Sequence, residues 1–279
     1  MYGAVCAVVI AIAGSFAARA QLAGDPPQGG SIVSTVSADV VKDLAPTGKL
    51  RAAINLGNMV LAQKDAASGE LGGVTVDLAR ELGRRLAVPV ELVPFDAAGK
   101  VFDALKSGAW DIAFLAIEPV RAAEISFTAP YVIIEGVYMV PADSPLQAVA
   151  DVDREGVRIA VNKGSAYDLY LTRTLKHATL VRGESGTDLL LNDKLEAAAG
   201  VKQPLVEFAK TNPKVRIMPG RFMEIRQAMG TPRVRLAARD AVPRYLHAFV
   251  EEMKASGFVA KALARSHQPD AAVAPPAAD

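Results

Sequence analysis

The sequence predicts an α/β protein of two lobes, each a mainly parallel sheet flanked by helices, with two extended strands as the connection. Three observations predict it. From Lys49 onward, short apolar runs alternate with amphipathic helical stretches, as in βαβ units. A long apolar extended segment, residues 132–140, interrupts this alternation, which then begins again at residue 157. A second extended stretch, residues 224–229, runs back before two closing helical patterns at 242–253 and 259–265. Two similar units joined by two crossings imply a cleft between them. The length of 279 residues is enough for two lobes of ordinary size. The formal net charge of +1 gives no reason to expect a nucleic-acid or polyanion partner.

Residues 1–20 carry an apolar run from Ala4 to Ile12 and end in Ala18-Arg19-Ala20, the small-x-small pattern of a cleaved signal peptide. Gln21 would then begin the mature chain. No Lys or Arg precedes the apolar run, so an uncleaved anchor is the alternative. Cys6, the sole cysteine, lies inside this segment, which leaves no disulfide to form. Residues 21–47, rich in Gly, Pro, Ser and Thr, read as a flexible leader with a short helix over 38–44.

Residues 50–56 form the first predicted strand, and Gly57-Asn58 starts a loop. Residues 65–73 read as a hairpin-like turn. Val74, Leu78, Leu82 and Leu86 then recur every four residues along a helix over 74–86. A strand over 90–94 and a helix over 99–107 follow, the helix stopped by Gly108. Asp111 opens the continuous apolar run 112–117, a strand buried on both faces. Pro119 suits the first position of the next helix, which puts Arg121 in its first turn. That position lies beside the carboxyl end of the preceding strand, the rim where open α/β sheets bind small ligands. A guanidinium beside a helix N-terminus suits a carboxylate or another small anion. The second unit reads as strands at 157–161, 179–182, 196–201 and 215–218, with helices at 165–175, 187–191 and 204–210. The tail from residue 269, rich in Ala and Pro, reads as disordered.

No strand is followed by a Gly-x-Gly-x-x-Gly or Walker-type loop. His177, His247 and His267 have no metal-ligand spacing, and no Gly-x-Ser-x-Gly elbow is present. These residues call for no nucleotide, no metal and no other cofactor.

Residues 105–131 combine Leu-x-Ser-Gly-x-x-Asp, a hydrophobic strand, Pro-x-Arg and Phe-Thr-x-Pro-Tyr. This combination resembles the family 3 extracellular solute-binding proteins that serve ABC importers, and the resemblance extends from about residue 48 to 266. It implies the type II periplasmic-binding-protein fold. The first lobe would run over 48–136, crossings over 137–141 and 225–230, the second lobe over 142–224, and closing helices over 231–268. It also implies a periplasmic, monomeric protein with a small-molecule solute and a membrane permease as partners.

In the family, the Arg matching Arg121 pairs with the ligand carboxylate, and Asn162-Lys163-Gly164-Ser165-Ala166 resembles the segment that completes that site. Gly164, Ser165 and Ala166 are therefore expected at the ligand. Ser165 also suits an N-cap. Where family members carry hydroxyls before Pro-x-Arg, this chain has Ala116-Ile117-Glu118. Glu118 has three open roles: pairing with Arg121, capping the helix, or receiving a ligand group. Asn58 replaces the family's lid aromatic, and Asn55 offers an amide where some members have a carboxylate. The second stacking aromatic falls at about Ala98. Lys100, at a helix start, is unfavourable against the helix dipole unless an anion is near. The acid that holds a ligand ammonium in amino-acid binders aligns with Val201, followed by Lys202 and Gln203. The expected ligand is a small polar carboxylate-bearing solute, an amino acid or an organic acid, and the missing acid favours a small organic anion or an amide-bearing acid. The competing reading is a periplasmic enzyme resembling cyclohexadienyl dehydratase, with Glu118 as acid/base and no other catalytic residue in view.

Overall fold

The computed structural model describes residues 36–235, 240–268 and 271–278. The expected signal segment and the first part of the leader lie outside these residues. The chain proceeds as α1 (Ala38–Leu44), β1 (Leu50–Asn55), β2 (Gln63–Lys64), β3 (Leu71–Gly72), α2 (Val74–Leu86), β4 (Val90–Phe95), α3 (Ala98–Asp103), β5 (Ile112–Ala116), α4 (Pro119–Ala122) and β6 (Ile125–Pro141). It continues as β7 (Arg158–Asn162), α5 (Ala166–Thr174), β8 (Thr179–Gly183), α6 (Gly186–Asn192), β9 (Ala197–Val201), α7 (Lys202–Thr211), β10 (Val215–Ile217) and β11 (Met223–Pro232). Helices α8 (Ala241–Ala255) and α9 (Phe258–Arg265) and a short strand β12 (Ala272–Val273) complete it.

The main sheet runs β4-β1-β5-β11-β6-β9-β7-β8. β1 pairs in parallel with β4 and β5, and β7 in parallel with β8 and β9. Between these two parallel groups stand β6 and β11, antiparallel to each other and to their neighbours. Each lobe is therefore a parallel sheet, and the two long strands carry the chain from one to the other. β6 absorbs both the Phe-Thr-x-Pro-Tyr segment and the apolar run after it. Pro130 has no N–H to give to the ladder, and the pairing with β11 shifts register beside it, between Gln227 and Gly230.

The strand expected to be most buried is so: all five residues of β5 are buried between β1 and β11. Asp111, just before it, accepts from the backbone N and the guanidinium of Arg51 on β1, which fixes the register of the two strands. Helix α3 ends earlier than its pattern predicts, at Asp103, and turns carry the chain to Gly108 at φ +66°. α2 buries Val74, Leu78, Leu82 and Leu86, the stripe read from the sequence.

The short helix expected over 38–44 is present as α1, but the described residues near each end are packed rather than loose. α1 is not a free leader: Ser37 caps it, Val40 and Leu44 are buried, and it packs beside α8. The tail is not loose either. β12 pairs antiparallel with Val132 and Ile133 of β6, and the Ala274 N–H donates to the Tyr131 carbonyl. A tail of small residues and prolines can still add a strand where an edge offers free backbone groups, and β6 offers such an edge.

Glu81, Arg85 and Glu252 tie α2 to α8. Hydrogen bonding to Arg84, with Arg85 assisting, holds the Glu81 carboxyl at about 2 against the opposing effect of burial. A carboxyl lower in the folded than in the unfolded chain contributes fully above its unfolded value, and loses that contribution as pH falls through the folded one. Because Arg84 is largely exposed, the contribution is on the order of 1 kcal/mol. Glu81→Gln should lower the melting temperature by about 2–4 °C at neutral pH and leave it unchanged near pH 2, as a calorimetric pH series would show.

Candidate functional site

The carboxyl ends of β1, β5, β7 and β9 converge with the N-termini of α4 and α5 around a cavity of about 290 Å³. The first lobe contributes Asn55, Gly57, Asn58, Ala97, Ala98, Leu115, Ala116 and Arg121, with Ile225 and Gln227 from β11. The second lobe contributes Asn162, Lys163, Ser165, Ala166 and Tyr167, the α6 start at Ser185–Thr187, and Pro204, Leu205 and Phe208 of α7.

Arg121 is the central feature. Its residue exposure is 1 %, yet among the described residues no carboxylate lies within ion-pair distance of it. Nη1 donates to the Ala116 carbonyl at 3.2 Å, and Nη2 crosses to the Gly164 carbonyl of the second lobe at 2.8 Å. Nε is buried with no hydrogen-bond partner among the described residues. Burial pushes the guanidinium down to about 10, with Glu118 opposing part of that effect. A fixed, desolvated cation on a cavity wall with a donor left unpaired has the chemistry to take an anion.

The opposite wall fits the same task. Ser165 caps α5 by accepting from the Asp168 N–H, and Gly164 takes the left-handed turn before it at φ +70°. Ser165, Ala166 and Tyr167, at the start of α5, line the cavity together with Arg121. Asn58, 8 % exposed, presents a buried Oδ1 with no partner among the described residues. The Asn55 and Asn162 amide oxygens are engaged, accepting from Gly57 N and Gly186 N.

Of the residues singled out in the sequence, Arg121, Asn55, Asn58, Ala116, Ser165 and Ala166 come together around this cavity, and Gly164 meets Arg121 through its carbonyl. Three others do not. Lys100 does have an anion near its helix start, but it is protein: its ammonium lies 2.9 Å from Asp96 and 3.5 Å from Glu184. Glu118 neither caps α4 nor lines the cavity; its carboxylate pairs with Arg173 of α5. Gln203 lines a separate groove behind α7, together with Glu135 and Arg221. A helix has two faces, and 204, 205 and 208 share the one toward the cavity while 203 lies on the other.

The sequence reading passed over Phe208, Tyr167, Ser185, Thr187 and Gln227. Two of these carried a signal. Pro204, Leu205 and Phe208 form an i, i+1, i+4 stripe, and Gln227 is a polar residue in an otherwise buried stretch of β11.

Residues 59–267 match the sequence profile of the bacterial extracellular solute-binding proteins, family 3. Three solved structures illustrate the likeness in fold. The solute receptor for L-cysteine of Neisseria gonorrhoeae superposes with a TM-score of 0.69 at 21% identity, over 82% of this chain and 94% of that one. The amino acid ABC transporter substrate-binding protein AbpA from Streptococcus pneumoniae, bound to L-arginine, gives 0.67 at 19% identity, over 82% and 98%. The ancestral amino acid-binding protein AncCDT-1, a precursor of cyclohexadienyl dehydratase, gives 0.65 at 20% identity, over 81% and 97%. These likenesses bear on the fold, which is the two-lobe type II periplasmic-binding-protein architecture. The profile match decides membership: the chain belongs to the family 3 bacterial extracellular solute-binding proteins.

Proposed function

We propose that this protein is the extracytoplasmic receptor of an ABC importer, and that its solute is a small carboxylate whose remaining groups are uncharged. The observation that carries the reading is Arg121: a buried guanidinium facing the cavity, with an unpartnered Nε and no carboxylate counterion among the described residues. A solute carboxylate would supply that counterion, with the α5 N-terminus behind it.

The rest of the solute is constrained by what the cavity lacks. Among the described residues, Asp96 is the one carboxylate on the wall, and Lys100 already holds it. A solute ammonium or guanidinium enclosed here would have no anionic partner, which is costly in a closed cleft. Asn58 Oδ1 instead offers a neutral acceptor for an amide N–H or a hydroxyl. Binding without turnover is the fitting activity, because Glu118, the acid an enzyme would need, is turned away from the cavity toward Arg173. Family membership and the signal-like residues 1–20 support export to the periplasm, where a membrane permease would receive the closed receptor.

A thermal-shift screen tests this, since a solute at a hundred times its dissociation constant adds about 2.7 kcal/mol. Small hydroxy- and amide-bearing monocarboxylic acids are expected to raise the melting temperature. Arginine and lysine are expected to leave it unchanged. A rise with cationic amino acids and none with carboxylates would overturn the assignment of solute class.

A further inference from the structure

We infer that Glu118 and Arg173 form a latch between the lobes that holds the cleft closed without any solute, and so act as positioning residues for binding. Glu118 belongs to the first lobe. It sits at the N-cap of α4, and the preceding Ile117 N–H donates to Arg226 of β11. Arg173 belongs to the second lobe, in the last turn of α5. The Glu118 carboxylate is only 3 % exposed, and Arg173 Nη1 donates to its Oε2. Opening the cleft would strip this carboxylate of its partner, so the pair favours closure whatever the cavity contains.

Arg173 is prepared for the contact by its own lobe. Nη1 also donates to the Leu169 carbonyl at 3.0 Å, and the guanidinium lies 5.0 Å from the Tyr170 ring centroid. Little side-chain freedom then remains to be lost when Glu118 arrives, which is the condition under which an ion pair contributes most. Glu118 and Arg121 flank the start of α4, while Gly164 and Arg173 flank α5. The two helices are thus clamped at two points: Arg121 on the Gly164 carbonyl, and Arg173 on Glu118. Only the first point faces the cavity. The second can set the closed population, and through it affinity, without touching the solute.

The test is a distance measurement between paired spin labels at Lys106 and Asp193, both exposed, in a Cys6→Ser background with no solute added. Glu118→Gln and Arg173→Gln should each lower the closed-to-open ratio about tenfold. The double variant should be no more open than either single one, because both remove one interaction. The exchange Glu118→Arg with Arg173→Glu should restore part of the closed population. Single variants with the wild-type distribution, or a double variant whose effect is the sum of the two, would overturn the latch. Because no solute is present, the outcome is independent of which solute the receptor takes.

Discussion

Arg121→Met should abolish solute binding while leaving the solute-free melting temperature unchanged or raised. The loss of binding follows from the position of the guanidinium as the cavity's buried cation. Removing one partner of a desolvated ion pair typically costs about 3–5 kcal/mol, a factor of about a hundred to a few thousand in affinity. The stability expectation follows from its titration. Burial lowers the group from 12.5 to about 10, so the folded chain holds the charged form less well than the unfolded chain does. For a base shifted downward, the sign is destabilising at every pH below the folded value, and the penalty fades as pH rises past it. The penalty is on the order of 3 kcal/mol. Two hydrogen bonds to carbonyls are lost with the side chain, at about 1 kcal/mol each. These opposing contributions leave the variant no less stable than the parent. A melting temperature lowered by many degrees would mean that Arg121 is structural.

The same titration gives the pH dependence of binding. An anion favours the charged guanidinium, so affinity should be flat through neutral pH and fall about tenfold per unit above pH 10. Titration calorimetry with the best solute from the thermal screen, between pH 7 and pH 11, would show the break. A flat profile across that range would mean that another cation holds the carboxylate.

How much of this was legible in the sequence depends on the range of the interaction. Local features read well. The stripe of α2, the apolar run of β5, the Pro119 start of α4 and the Ser165 cap of α5 all arise within a turn or two of chain. Arg121 reached the cavity for the same reason: a strand end and a helix start define its place. The nearer partner of Lys100, Asp96, is local too, four residues back, but its second partner and that of Glu118 could not be read in that way. Glu184 is brought to Lys100, and Arg173 to Glu118, by the approach of the second lobe. A carboxylate three residues before a candidate arginine looks like part of its site until the other lobe supplies a competing cation. Composition misled at the tail, where the exposed edge of β6 outweighs the small side chains and prolines of residues 271–278. The family resemblance supplied the two crossings, which the run of polar and apolar residues alone left as extended segments.

Gly99→Val should weaken binding about a hundredfold by keeping the lobes apart. Gly99 lies in α3 of the first lobe, and an added Cβ would sit 3.1 Å from the Lys163 carbonyl oxygen and 3.3 Å from Gly164 Cα in the second. Both neighbours are backbone, so neither can rotate aside, and the two further methyl carbons of valine deepen the conflict. Gly164 faces the same contact, its own Cβ falling 2.9 Å from Gly99 Cα, but its φ of +70° would add local strain to any substitution. Gly99 carries no such complication. It lies in the first turn of α3 with a φ outside the left-handed region, so a side chain brings no local backbone strain. Local stability should therefore hold while closure fails, a separation that a folding defect would not produce. Gly99→Ala, with only the Cβ, should fall between, at about tenfold. The comparison needs affinity by calorimetry and the radius of gyration by small-angle scattering, with and without the solute. If Gly99→Val binds as tightly as the parent and compacts as much on adding solute, the contact between these two glycines is no part of the binding-competent state.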